Sequence, residues 1–229
     1  MSKTDVVVGI PELLQSLEQA YALPQYEPRS PLEEFVLSFL LWECPANRAE
    51  HALKRLVDSV VDFNELRALR NDDTALLLGK TYPMAEERAE RMRLAINDLY
   101  NREHAVSFDR VIAMNKRDGR KYVESLDSIP PFVAMRVTLA VLGAHAIPVD
   151  GRLLGRLIEF GIEEPGAPLT DASRRLERAI QAREGLRAHH LMQVWTDDPA
   201  GDSVKIGASG RRAPGKKKTT ASRRAAAKR

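Results

Sequence analysis

Apolar residues recur at spacings of three and four along most of this chain, the period of helices that bury one face. Ile10, Leu13, Leu14 and Leu17 mark the first helix, with Pro11 in its first turn, where a missing N–H costs nothing. A proline-rich linker runs from Leu23 to Pro31. Leu32 to Trp42 follows, with Phe35, Val36, Phe39 and Leu40 on one face, then Pro45 to Val61, with Ala49, Leu53, Leu56, Val57 and Val60. Asp62 and Glu65 form a capping box for a short helix through Leu69. Pro83 to Tyr100 reads as a long amphipathic helix with Ala85, Ala89, Met92, Ile96 and Leu99 facing in, and Ser107 to Met114 adds a turn or two. No apolar alternation with turn chemistry indicates a sheet. Val6 to Val8 is the only β-branched cluster.

The most informative stretch lies between Tyr122 and Phe160. A helix ends near Asp127, a tight connection passes through Ser128-Ile129-Pro130-Pro131-Phe132, and a strongly apolar helix reaches Leu142. A loop then ends in Val149-Asp150 before another helix marked by Leu153, Leu154 and Leu157. Farther on, Gly161 and Pro165 to Pro168 form a loop. Thr170 or Asp171 caps a helix through Arg183, and a last helix carries His189, His190 and Trp195. Adjacent histidines point about 100° apart on a helix, so this pair serves structure rather than a shared metal. Asp150, just before an apolar-periodic run, is a preferred N-cap contributing about 1 kcal/mol.

In order and spacing these residues resemble the helix-hairpin-helix DNA glycosylases of the endonuclease III group, whose pattern runs L-P-G-V-G-x-K-T-A, apolar helix, loop, V-D-T-H-x-x-R-V. Ile129-Pro130 stands at the L-P, and Ile147 to Asp150, followed by Arg152, Leu153, Leu154 and Arg156, stands at the aspartate segment. The resemblance covers about residues 31 to 195. It implies an all-α architecture of two helical domains with a DNA cleft between them. Residues 31–143 would form a barrel-like domain ending in the helix-hairpin-helix, 1–30 with 144–198 a second domain carrying Asp150, and 199–229 a disordered basic tail.

The resemblance also assigns roles. The hairpin aims backbone N–H groups and a helix N-terminus at a DNA phosphate, which places Ile129, Pro130, Pro131, Phe132, Val133, Ala134 and Arg136 against duplex DNA. Two family glycines fall on Pro131 and Val133, where a missing N–H and a branched side chain weaken that anchor. The nucleophilic lysine of the strand-cleaving members falls on Met135, which forms no Schiff base, so no lysine-type lyase activity is expected. Asp150 survives as the candidate catalytic carboxylate, stabilising cationic sugar and assisting water. Cap and catalyst both remain open for it. The wedge that fills the gap left by a flipped base falls near Cys44, beside Trp42 and Glu43; Trp42 reads as core rather than a stacking platform. Gly79-Lys80-Thr81-Tyr82 resembles a backbone-contacting turn. Many relatives hold an iron–sulfur cluster on four cysteines after the last helix. This chain has none after Trp195, so no cluster, metal or other cofactor is expected.

Composition sharpens the picture in one place. Residues 211–229 carry nine Lys or Arg and no acid, whereas residues 1–210 carry 26 basic against 32 acidic groups, a balance of −6. Arg211, Arg212, Lys216, Lys217, Lys218, Arg223, Arg224, Lys228 and Arg229 read as a disordered arm that neutralises DNA phosphates without reading sequence, against a plain solubility tail. No run is long and apolar enough to cross a membrane. The lone cysteine, Cys44, allows no internal disulfide and fits a reducing compartment. With no signal-peptide layout, the expectation is a cytoplasmic protein, on the nucleoid if bacterial. Three function classes follow: a single-activity base-excision glycosylase, a catalytically degenerate helix-hairpin-helix module binding DNA or a DNA-bound partner, or an unrelated helical regulator with a basic tail.

Overall fold

The computed structural model describes residues 9–23 and 28–198; Val6 to Val8, part of the proline-rich linker and the basic tail lie outside the described residues. Among the described residues the protein is all-α, as expected, with no strand. The helices are α1 (Ile10–Ala20), α2 (Pro31–Leu41), α3 (Ala46–Ser59), α4 (Phe63–Ala68), α5 (Asn71–Leu78) and α6 (Ala85–Glu103). They continue as α7 (Asp109–Ala113), α8 (Lys116–Glu124), α9 (Pro131–Ala140), α10 (Gly151–Glu159), α11 (Leu169–Ala179) and α12 (Gly185–Asp197).

Local chemistry sets many of these starts. Ser30 Oγ accepts from the Glu33 N–H while the Glu33 carboxylate accepts from the Ser30 N–H, closing a reciprocal box at α2. Asp62 caps α4 through the Glu65 N–H, but Glu65 reaches back one residue farther than expected, to the Val61 N–H. Asn115 caps α8. The expected cap of α11 at Thr170 or Asp171 is not formed: Pro168 precedes the helix without a side-chain cap, and the helix stops at Ala179 because Ile180 is extended. The hairpin's first helix likewise ends at Glu124, short of Asp127.

Two clusters of buried apolar side chains organise the packing. The larger surrounds α2, whose residues Phe35 to Leu41 are all buried; Leu56, Met92, Ile96, Leu99, Val123, Val133 and Val137 pack around it. Phe39 meets Phe35 edge-on at 5.3 Å. The smaller joins Leu13 and Leu17 of α1 to Ile147, Val149, Leu153, Leu157, Leu176, Met192 and Trp195. The chain thus returns its first helix to its last ones, and the segment around Asp150 lies where the two clusters adjoin.

Candidate functional site

Asp150 is the N-cap of α10 and is 5 % exposed. Its Oδ1 accepts from the Leu153 N–H at 2.9 Å, as a cap should, and its Oδ2 accepts from the Glu43 N–H at 3.1 Å. Glu43 answers: its Oε1 accepts from the Gly151 N–H at 2.6 Å. This reciprocal clasp spans 107 residues of sequence and ties the loop after α2 to the start of α10. Glu43 holds it from a left-handed backbone, φ 53°, a strained conformation for a side chain of its size. A second stitch lies alongside. Asp197 of α12 accepts from the Ala46 N–H at 2.7 Å, capping α3, and pairs with Arg152 at 2.6 Å.

Beside the clasp is a crevice lined by Phe132, Pro148, Asp150, Leu153, His189, Met192, Gln193 and Thr196, with a volume of about 10 Å³. That is room for about one water, far below the roughly 300 Å³ at which small-molecule pockets begin. A larger hollow of about 480 Å³ lies at the loop from Ile162 to Pro168 and contains none of the expected residues. Its buried carboxylate, Glu163, is neutralised by a bidentate pair with Arg175. Asp150 has no such bonded cation. Burial pushes its carboxyl up to about 6, with the Glu43 charge adding to the effect and the Leu153 and Glu43 N–H groups opposing it. Burial, with the Arg136 charge nearby, holds His189 well below the ordinary imidazole value and brings His190 to about 4, so the ring lining the crevice is neutral near pH 7.

The raised Asp150 value has a signed consequence. Between about pH 4 and pH 6 the unfolded chain gives up this proton while the folded chain keeps it, so stability falls as pH rises through that window, by about 3 kcal/mol. Denaturant unfolding across the window, compared between wild type and Asp150→Asn, should show that loss in the wild type only. Equal slopes would refute the burial cost. The histidines act oppositely in both chains, since unfolded imidazoles bind protons below about pH 6.5 that the folded ones refuse.

The other expected residues are placed as follows. Of the hairpin, Pro131 is exposed and Ile129 half-buried, but Pro130, Phe132, Val133 and Ala134 are buried. Arg136 is 4 % exposed and points into the larger cluster, donating to the Glu34 carboxylate at 2.9 Å and to Ser38 Oγ at 2.8 Å, because its face of α9 packs on α2. Cys44 has no exposed surface, so its side chain is core, and its neighbours Trp42, Glu43 and Pro45 are half-buried. Met135 is half-buried, with its sulfur 3.0 Å from Ser173 Oγ. Trp42 is half-buried too, with the guanidiniums of Arg88 and Arg91 over its ring. The tail cations lie outside the described residues. Sequence reasoning missed Glu43 as the partner of Asp150, and only its position beside the expected wedge hinted at it.

Two helices joined by a tight hairpin, an apolar second helix, and an aspartate capping the next helix at the junction of two helical clusters make up an all-α fold that this chain shares with solved structures of endonuclease III and DNA glycosylases. The chain is similar to a non-covalent endonuclease III–DNA complex, with 16 % identity, a TM-score of 0.65, and coverage of 81 % of this chain and 83 % of that one. It is similar also to a Clostridium acetobutylicum 8-oxoguanine glycosylase/lyase in complex with double-stranded DNA (14 % identity, TM-score 0.61, 81 % and 66 % covered). A thermostable thymine-DNA glycosylase is a third (14 %, 0.59, 81 % and 83 %). No family model and no curated protein matches the sequence.

Proposed function

We propose that this protein binds duplex DNA and acts as a base-excision glycosylase with one activity, hydrolysis of the N-glycosidic bond of a flipped nucleotide. The observation that carries this is Asp150: a buried carboxylate with a raised pKa and no bonded cation, lining a small crevice of mixed polar and apolar side chains at the junction of the two helical clusters. In that role the C1′–N bond breaks, its electron pair leaves with the base, and the carboxylate stabilises the cationic sugar. Water then adds to C1′ and gives its proton to Asp150. Met135 offers no amine, so the sugar forms no bond to the protein. Borohydride added during turnover should trap no protein–DNA adduct while abasic sites accumulate; a trapped adduct would overturn the single-activity assignment.

A second reading, a DNA-binding module without catalysis, is favoured by a different observation. Both Asp150 oxygens already accept N–H bonds and the crevice takes about one water, so a base enters only if the Glu43 clasp opens.

On either reading the basic tail holds duplex through phosphates. If about six of its nine charges meet phosphates, log affinity against log salt slopes near −5, and removal of residues 211–229 flattens it. An unchanged slope would remove the tail from the interface.

A further inference from the structure

The hairpin of this chain has few N–H groups to offer a phosphate. Pro130 and Pro131 have none, the Asp127 N–H donates to Asp98 Oδ2 at 2.8 Å, and the Ile129 N–H donates to the Leu126 carbonyl at 3.3 Å. Beside it stands a construction of another kind. Five side chains from the α2–α3 loop, α3, the turn before α6, and α6 stack as alternating cations and rings: Arg48 over Tyr82 at 5.6 Å, Arg88 over Tyr82 at 5.2 Å and over Trp42 at 5.7 Å, and Arg91 over Trp42 at 5.7 Å.

The middle of this ladder is fixed. Arg88 is fully buried and donates to the Phe39, Trp42 and Pro83 carbonyls, and the Tyr82 hydroxyl donates to the Leu40 carbonyl at 2.8 Å. The ends are open. Arg48 is exposed and donates from one Nη to the Thr81 carbonyl. The Arg91 side chain is 38 % exposed; its Nε donates to Glu87 and its Nη1 to the Ser128 carbonyl of the hairpin at 3.3 Å, leaving its Nη2 edge without a partner. Stacking and these bonds hold two guanidiniums in place before any ligand arrives, which lowers the ordering cost of meeting an anion.

We propose that Arg48 and Arg91 are the phosphate anchors of this protein, guanidiniums at the two ends of the ladder that take over from the amides the hairpin lacks, and that their ligand is the backbone of duplex DNA. This rests on the DNA-binding reading above. It assigns the contact of the folded body to α3 and α6 rather than to the hairpin, in addition to the tail's, and it predicts a contact blind to base sequence.

The test is binding of the full chain to a labelled undamaged duplex over a range of salt. Variants are Arg48→Gln, Arg91→Gln, the double variant, the Lys counterparts, and Arg187→Gln as a control; Arg187 pairs with Glu18 in the smaller cluster's helices. Each Gln substitution at the ladder should reduce the salt slope by about one and the double by about two. The Lys variants should keep the wild-type slope, as should the control. A double variant with the wild-type slope would overturn the proposal while leaving DNA binding standing. Absence of duplex binding by the wild type would overturn the DNA-binding reading and this proposal with it.

Discussion

Asp150→Asn is expected to slow single-turnover base release by roughly 10²- to 10⁴-fold, the range ascribed to a positioned acid–base group. Asparagine is the informative replacement. Its amide oxygen can still accept from the Leu153 N–H, preserving the helix cap, whereas the charge that would stabilise the cationic sugar and take the water's proton is gone. Duplex affinity should be unchanged, because phosphate contacts do not involve this buried group. Wild-type release rates in the variant would make Asp150 a cap alone, and would turn the Glu43 clasp into a purely structural tie.

The largest stability effect is expected at Arg88. This guanidinium sits at the carboxyl end of α2 and satisfies three carbonyls, from Phe39, Trp42 and Pro83, while lying between the Tyr82 and Trp42 rings. The charge is desolvated, and burial draws its pKa down. It is held by the negative end of a helix and by rings, not by a carboxylate. Arg88→Met fills much of the volume but strands the carbonyls, each costing about 1–3 kcal/mol when left unpaired; relief from burying a charge offsets part of this. The net expectation is a loss of about 3 kcal/mol, read as a lower denaturant midpoint at constant m-value. A midpoint within error of wild type would show that water or a shifted backbone satisfies those carbonyls equally well.

Much of the fold was legible because helix period and cap chemistry are local. The stripes of α1, α2, α3 and α6, the Asp62 cap and the Asp150 cap all lie within a few residues of what they determine. Helix α5 escaped notice because NDDTALLL buries only Thr74 and Leu78 and leaves Leu76 exposed, so no stripe appears. The site was legible in outline only. Asp150 could be found by its place before an apolar run, but its partner Glu43 comes from far along the chain. Arg136 looked like a surface cation because charge says nothing about which face of α9 meets α2. The cation–ring ladder draws on four separate segments. No short-range pattern encodes it.

Hydrolytic base release by this protein is measured by single-turnover incubation of the wild-type chain with a panel of damaged duplexes, scoring free base and strand integrity together. First-order release of base from at least one lesion, with an abasic but unbroken strand, is the expected result. Duplex binding with no base released from any lesion would contradict it and leave a DNA-binding module in its place.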